Sequence, residues 1–125
     1  MNIEKEIQSY DELKQKLRFL VREGIHDVSL SPSQAIFYAE ENFPVPYKPF
    51  EVYVIRQVAF AIVAFEYGVI FDRTDEDGAF FLDEFGRKYN ECNRRIYDAL
   101  DSLASSGNEL KVDLQKVVSL YKDLF

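Results

Sequence analysis

The hydrophobic residues of this chain are concentrated in one stretch, residues 52–71, which reads VYVIRQVAFAIVAFEYGVIF. Residues 58–65 within it are apolar without interruption. The charged or strongly polar residues of the stretch are Arg56, Gln57 and Glu66. An element that is apolar on every side must be surrounded by other parts of the protein or by lipid. A membrane span is disfavoured, because each charged residue would cost about 2.5–3.5 kcal/mol at a bilayer centre. We therefore interpret the stretch as the buried centre of a globular fold.

Length favours a helix for this stretch, although Val, Ile, Phe and Tyr individually favour strands. Residues 52–67 form a run that is longer than most strands. The alanines that would let neighbouring elements approach a helix closely are Ala59, Ala61 and Ala64. Pro49 is typical of the first turn of a helix, and Gly68 is typical of the position just after its end. We predict a buried helix over about residues 50–67.

Residues 3–21 carry apolar side chains at spacings of three and four, which is typical of one face of an amphipathic helix. The apolar positions are Ile3, Ile7, Tyr10, Leu13, Leu17, Leu20 and Val21. The basic residues on or near the opposite face are Lys14, Lys16, Arg18 and Arg22. Ser9 and Glu12 have the spacing of a capping box, so the regular helix is predicted to begin at Tyr10, after a looser turn. Gly24 is predicted to end it.

A shorter helix is predicted from Pro32 to about Glu41, because Ser31 is a favoured N-cap and proline is favoured at the first helical position. Its predicted inner side consists of Ala35, Ile36 and Ala39. Residues 43–49, FPVPYKP, contain three prolines and cannot form a regular helix. We expect a stiff, extended connector between the short helix and the buried one.

The C-terminal half predicts two more helices, near residues 80–105 and 109–124. The apolar positions of the first are Leu82, Phe85, Tyr89, Cys92, Ile96, Leu100 and Leu103. Those of the second, which Asn108 would cap, are Leu110, Leu114, Val117, Val118, Tyr121 and Leu124. One alternative remains open, in which residues 69–71 and 79–82 pair as a small β-hairpin.

These elements predict an all-α fold, a single-domain bundle of about five helices over residues 1–125 with the 50–67 helix at its centre. A length of 125 residues suits one domain, and 47% apolar with 30% charged residues is typical of a globular protein. Cys92 is the only cysteine, which excludes an internal disulfide. The N-terminal residues lack the basic and apolar segments of a secretory signal, so we expect a cytoplasmic protein.

The negative charge of the chain is local. Of the net charge of −7, a share of −6 lies between residues 66 and 84, where seven carboxylates stand against Arg73 alone. The seven carboxylates are Glu66, Asp72, Asp75, Glu76, Asp77, Asp83 and Glu84. A negative balance disfavours nucleic acid and anionic membranes as partners and favours a basic protein.

No residue pattern in the chain predicts catalysis. His26 is the only histidine, so metal sites and catalytic motifs that need two histidines are excluded. A nucleophilic pair of Cys92 and His26 is disfavoured, since Cys92 lies on the apolar seam of its predicted helix, where cysteine behaves as a small hydrophobe. The sequence contains no G-x-S-x-G, P-loop or G-x-G-x-x-G motif. We therefore expect a protein that is not an enzyme and needs no cofactor.

Residues 73–84 resemble in part the twelve-residue calcium loop of an EF-hand. Asp75, Asp77, Gly78 and Glu84 fall at positions three, five, six and twelve of such a loop. Arg73 stands at position one, where the loop needs a carboxylate, and would place a cation beside the metal. We expect a solvated acidic turn that binds no metal, and a degenerate calcium-binding loop is the alternative.

The acidic residues are followed directly by Phe80, Phe81 and Leu82. Consecutive residues at a helix start point about 100° apart, so three large apolar side chains cannot all face one core. An aromatic side chain beside charged residues is typical of a protein interface, where charge raises the association rate and the aromatic group slows dissociation. We predict a partner-binding surface formed by Glu66, Asp72, Asp75, Glu76, Asp77, Phe80, Phe81, Asp83 and Glu84.

In size, acidity and lack of a catalytic motif, the chain resembles the immunity proteins of bacterial toxin–immunity systems, including those of contact-dependent growth inhibition. The resemblance implies a toxin inhibitor that binds a basic toxin domain, often a nuclease, and blocks its active site with carboxylates in the places of phosphates. The alternative of another class is a regulatory binder that mimics nucleic acid, such as an anti-restriction or anti-CRISPR protein.

Overall fold

A computed structural model of the chain describes residues 3–42, 50–69, 98, 101–102 and 108–122. The helices in this part of the chain are α1 (Ile3–Gln8), α2 (Tyr10–His26), α3 (Pro32–Asn42), α4 (Phe50–Glu66) and α5 (Asn108–Lys122). The described residues contain no strand, and the predicted all-α fold is confirmed. None of the described helices is long and apolar enough to cross a bilayer.

The chain divides into two compact units, Met1–Ile70 and Phe71–Phe125. The first unit contains α1 to α4, and the second contains α5. The prediction that helices near residues 80–105 and 109–124 enclose the central helix concerns both units and stays a prediction.

Helices α1 and α2 meet at Ser9, where the backbone is irregular, with φ −96° and ψ 8°. Helical hydrogen bonding nevertheless continues across the joint, because the Ser9 N–H donates to the Lys5 carbonyl at 3.1 Å and the Leu13 N–H to the Ser9 carbonyl at 2.9 Å. The Ser9 hydroxyl also donates backwards to the Lys5 carbonyl at 3.0 Å, a bond that bends helices. The predicted start at Tyr10 is confirmed, but the predicted capping box is wrong, since the Ser9 side chain makes no capping hydrogen bond to α2.

Gly24 lies inside α2, and the prediction that it ends the helix is wrong. A Cβ atom at this position would lie 3.1 Å from the Ala35 Cβ and 3.1 Å from the Tyr38 Cδ1 of α3. The glycine therefore lets α2 and α3 approach closely. The helix ends at His26, and Ser29 adopts a positive φ of 59° in the connection to α3.

The predicted start of α3 is confirmed in detail. The Gln34 N–H donates to the Ser31 hydroxyl at 3.3 Å, and the Ser31 N–H donates to the Gln34 side-chain carbonyl at 3.2 Å. This reciprocal pair is a capping box, and it satisfies amide groups that the helix itself cannot bond. The predicted inner residues Ala35, Ile36 and Ala39 are all buried.

The predicted buried helix over about residues 50–67 is confirmed as α4, which contacts α1, α2 and α3 of the first unit. Its side chains are buried on every side between residues 57 and 64. Burial of aliphatic side chains contributes roughly 25 cal/mol for each Å² removed from water, so this helix is the main hydrophobic contribution of the unit.

In the second unit, α5 shows the predicted pattern at three of its six apolar positions, Val118 is half-buried, and the side chains of Tyr121 and Leu124 lie outside the described residues. Leu110, Leu114 and Val117 are buried, whereas Val112 and Leu120 are exposed. Asp98, Asp101 and Ser102, which fall within the helix predicted near 80–105, are helical, and the remainder of that helix lies outside the described residues. The alternative hairpin over 69–71 and 79–82 also lies outside them, apart from Val69, which is in neither helix nor strand.

Candidate functional site

Among the nine predicted partner-binding residues, Glu66 lies in the described part of the chain. The other eight, Asp72, Asp75, Glu76, Asp77, Phe80, Phe81, Asp83 and Glu84, lie outside the described residues. The structure therefore describes the chain as far as Val69, three residues before the acidic segment, which we define as residues 72–84.

Glu66 is the last residue of α4, and its carboxylate is held by Arg18 of α2. The Arg18 Nε donates to Glu66 Oε2 at 2.7 Å, and the Nη2 donates to Oε1 at 2.6 Å. A bidentate arginine–carboxylate pair of this kind fixes orientation as well as distance. The two side chains are 21% and 38% exposed, respectively, so the pair lies at the surface.

Tyr67, the residue that follows the end of α4, also contacts a side chain of α2. The Arg22 Nε donates to the Tyr67 hydroxyl at 3.2 Å. Arg18 and Arg22 are four residues apart on a helix, so they lie on the same edge of α2. We call these two contacts, Arg18–Glu66 and Arg22–Tyr67, the α2–α4 clamp.

Gly68 ends α4 with a backbone motif that glycine favours. Its φ is +72°, in the left-handed region, and a Cβ there would be strained. The Gly68 N–H donates to the Phe65 carbonyl at 3.0 Å, and the Val69 N–H donates to the Ala64 carbonyl at 2.9 Å. This pair of bonds is a Schellman motif, and the buried side chain of Val69 closes it. The predicted helix end at Gly68 is confirmed.

The clamp and the Schellman motif together fix the point at which the chain leaves the first unit. Asp72 follows Val69 by three residues in the sequence. The acidic segment does not include Glu66, whose charge Arg18 compensates. Its six carboxylates and Arg73 give it a net charge of −5. In the sequence, this negative charge begins three residues after the last residue of the first unit that the structure describes.

A second arginine–glutamate pair joins the N-terminal half of α4 to α1. The Arg56 Nη2 donates to Glu6 Oε1 at 3.2 Å, and the Nε donates to Oε2 at 3.3 Å. The side chains of Arg56 and Glu6 are only 13% and 11% exposed. Next to Arg56, the buried Gln57 has a side-chain carbonyl oxygen without a hydrogen-bond partner. These groups lie between packed helices, and their arrangement holds α1 on α4.

Lys14 is buried on α2, so the prediction that it lies on or near the polar face is wrong. Its Nζ lies 4.8 Å from the centroid of the Tyr10 ring and 3.8 Å from the Asp11 Oδ1. The ammonium group is stabilised there by the aromatic ring and the carboxylate. The sequence signal was present, since position 14 adjoins the apolar positions 10, 13, 17 and 21 on a helical projection.

Glu40, on α3, is a carboxylate in an unfavourable environment. Desolvation by burial raises its pKa, and the negative charge of Glu41 raises it further. Burial and the neighbouring Glu41 therefore account for the raised pKa of Glu40.

Phe19 is the most exposed large apolar residue in the described part of the chain, with 67% of its surface accessible. Together with Gln15, Lys16 and Leu20 it lines an open depression on α2. Sequence reasoning did not select it. The sequence did contain a signal for an exposed aromatic residue. Phe19 is aromatic but lies outside the three- and four-residue spacing of the apolar side chains in residues 3–21.

Among the described residues, no group of three or more histidine, cysteine or carboxylate side chains could hold a metal ion. His26 is exposed at the end of α2. Cys92 and the partial calcium loop at residues 73–84 lie outside the described residues, so the predictions for both stay predictions.

Comparisons of the chain with protein-family models, with curated proteins and with solved structures found no match.

Proposed function

We propose that this chain is a non-catalytic binding protein that docks its acidic segment on a basic partner protein. We further propose that it is an immunity protein, and that its partner is a toxin of the nuclease class. The observation that carries the proposal is the position of the charge. A segment of net charge −5 begins three residues after Val69, and the α2–α4 clamp and a Schellman motif hold the end of α4 that precedes it.

Anchoring matters for binding because ordering a loop at an interface costs free energy. Each side chain that is immobilised on binding costs about 0.5–1.5 kcal/mol, and a segment whose origin is already fixed loses less freedom. The clamp supports a binding role in this way. It holds Glu66 and Tyr67, the residues that precede the segment, in one orientation.

Electrostatics explains why a nuclease is a suitable partner. A nuclease active site is built to attract phosphate groups, so it carries positive potential that clustered carboxylates can match. Complementary charge raises the association rate and disfavours wrong partners. The proposed inhibitor would thus occupy the site that nucleic acid occupies in the uninhibited toxin.

The test begins with affinity capture of the partner from the source cell, followed by surface plasmon resonance with the purified partner at two salt concentrations. The variant Asp75→Asn/Glu76→Gln/Asp77→Asn should associate more slowly at low salt. The deficit should shrink towards 1 M salt, where the Debye length is about 3 Å. The matched control removes three exposed carboxylates elsewhere, Glu12→Gln/Asp27→Asn/Glu41→Gln, with the same change in net charge.

The control should leave the association rate close to that of the wild type. If both triple variants lost the same amount of association rate, the effect would be due to net charge alone. Unchanged kinetics in the segment variant would place the binding surface elsewhere. The immunity proposal predicts in addition that the captured partner is a toxin whose nuclease activity is abolished at a one-to-one ratio. A partner without such an activity would contradict it.

A further inference from the structure

We propose that the exposed face of α2 binds the same face of a second copy of this chain, so that two antiparallel α2 helices form a symmetric dimer around Phe19. Phe19 lies near the middle of this 17-residue helix. The proposed function concerns the acidic segment, none of whose residues takes part in this contact. The dimer and the proposed function can therefore fail independently of each other.

Phe19 is the centre of an exposed stripe along α2, and 67% of its surface is accessible. The buried residues Leu13, Leu17 and Val21 lie on the opposite side of the helix. Residues three, four and seven positions away from Phe19 share its face. Of these residues Glu23 is half-buried and the others are exposed, namely Glu12, Gln15, Lys16, Arg22 and His26.

The two flanks of the stripe carry different residues. On a projection of a helix with 3.6 residues per turn, Lys16 and Glu23 lie on one side of Phe19, and Gln15 and Arg22 lie on the other. A twofold contact uses the same patch on both copies. In an antiparallel pair of helices related by a twofold axis at Phe19, each flank meets the same flank of the second copy, with the order of its residues reversed.

This reversal brings complementary groups together on both flanks. On one flank, Lys16 meets Glu23 of the second copy, which pairs an ammonium group with a carboxylate. On the other flank, the side-chain carbonyl of Gln15 meets Arg22 of the second copy. An arginine has five N–H donors, and the Nε contact to Tyr67 uses one of them. The twofold axis repeats each pair, so the contact contains four such pairs.

The two ends of the stripe determine the direction of the second helix. Glu12 and His26 lie seven positions before and after Phe19, close to the centre line of the face. In the antiparallel arrangement Glu12 meets His26 of the second copy, whose ring N–H can donate to the carboxylate. In a parallel arrangement Glu12 would meet Glu12, and like charges at close range repel each other. Charged residues beside the contact line set partner choice and orientation in paired helices in the same way.

Phe19 supplies the apolar centre of the contact. The open depression beside it, which Gln15, Lys16 and Leu20 also line, provides space for the ring of the second copy. Two aromatic rings at such a centre favour an offset or edge-to-face arrangement. A helix of 17 residues is about 25 Å long, so its face is smaller than the roughly 800 Å² that each partner buries in a standard interface. We therefore expect a weak dimer, with a Kd on the order of 10–100 μM.

The test is sedimentation equilibrium of the full chain in low salt, at concentrations from about 5 μM to about 1 mM. The apparent mass should rise from the 14.6 kDa of one chain towards twice that value. Phe19→Ala should raise the Kd at least about tenfold, as for an interface hot spot. The matched control Val112→Ala, at an apolar position of similar exposure on α5, should change the Kd less than about twofold.

Charge exchange tests the antiparallel arrangement itself. Lys16→Glu and Glu23→Lys should each weaken the dimer about fivefold or more, because each variant places like charges opposite each other at two symmetric positions. An equimolar mixture of the two variants should associate nearly as well as the wild type, since every changed charge then meets an opposite charge in the heterodimer. Thermal melting should show that the separate variants keep the wild-type fold.

Each outcome supports or overturns the dimer. A wild-type chain that stays monomeric up to about 1 mM, or a dimer that Phe19→Ala leaves unchanged, would overturn it. A mixture of the two charge variants that associates no better than either variant alone would also overturn it, because the antiparallel pairing requires the rescue. Recovery in the mixture, together with the loss in Phe19→Ala, would support the symmetric contact.

Discussion

Two arginine–glutamate pairs join the N-terminal helices to α4, with the same bidentate geometry but in different surroundings. Glu6 and Arg56 lie between α1 and α4 and are mostly buried, whereas Arg18 and Glu66 lie at the surface beside the end of α4. The surface pair is the shorter, with distances of 2.6 and 2.7 Å against 3.2 and 3.3 Å. Shorter contacts do not make it the more important pair for folding.

Burial decides the difference between the two pairs. Removing one partner of a buried pair leaves a charge without compensation in a medium that solvates it poorly, at a cost of about 3–5 kcal/mol. An exposed pair contributes only about 0–1 kcal/mol, because water solvates both groups when they separate. The buried pair therefore holds α1 in place. The surface pair contributes little to stability and orients Glu66 at the end of α4.

A buried carboxylate without any partner should have the largest effect. Val58→Asp places a charge at a fully buried position two residues from Arg56, and Ile62→Asp places one at a buried position one turn later. The cost of several kcal/mol is comparable with a total stability of about 5–15 kcal/mol, so we expect no cooperative folding by circular dichroism. Gln15→Asp, at an exposed position of α2, is the control and should fold. Cooperative melting of Ile62→Asp within a few degrees of wild type would refute the central position of α4.

Breaking the buried pair should have the next largest effect. We expect Glu6→Gln to lower the free energy of unfolding by about 3 kcal/mol in urea titrations, at the low end for buried pairs, since the terminal α1 can move away. The double variant Glu6→Leu/Arg56→Met should recover part of the loss, because it also removes the guanidinium group that Glu6→Gln leaves without its carboxylate. A double variant that is no more stable than the single one would show that burial of the charge is not the cause.

Breaking the surface pair should have a small effect on stability. Arg18→Gln should cost less than about 1 kcal/mol, and the loss should decrease further in high salt, where exposed charges are screened. The swapped variant Arg18→Glu/Glu66→Arg should restore the interaction. If Arg18→Gln cost as much as Glu6→Gln in the same urea titrations, the contrast between the two pairs would fail.

A third carboxylate, Glu40, should give the smallest effect, and one that depends on pH. Burial and Glu41 raise its pKa, so folding favours the protonated form, and stability falls as the pH rises from below 4.5, the ordinary value, through the raised pKa. Glu40→Gln should therefore melt at a higher temperature than wild type at neutral pH. The difference should disappear well below pH 4.5. Glu41→Gln should give part of the same gain, and a gain independent of pH would contradict this explanation.

The sequence predicted the elements of the first unit well because periodicity and end signals are local. The apolar run over 52–67, the proline-containing start of α3 and Gly68 each depend on residues a few positions apart. The partner-binding surface was predicted from charge and aromatic residues, and Glu66 alone among its members lies in the described part of the chain. Phe19 was missed because exposure depends on which neighbours cover a helix face.

What the sequence by itself determined is the helical class and the order of its helices, since the 3.6-residue period, caps and breakers are properties of short segments. Only the tertiary structure decided the role of Gly24, which permits close packing on Ala35 and Tyr38 instead of ending α2. The tertiary structure also decided that Arg56 meets Glu6 and that Arg18 meets Glu66, across 50 and 48 positions of sequence. Such pairs depend on how α1, α2 and α4 cross, and crossing is set by the packing of whole helix surfaces, which local patterns do not specify.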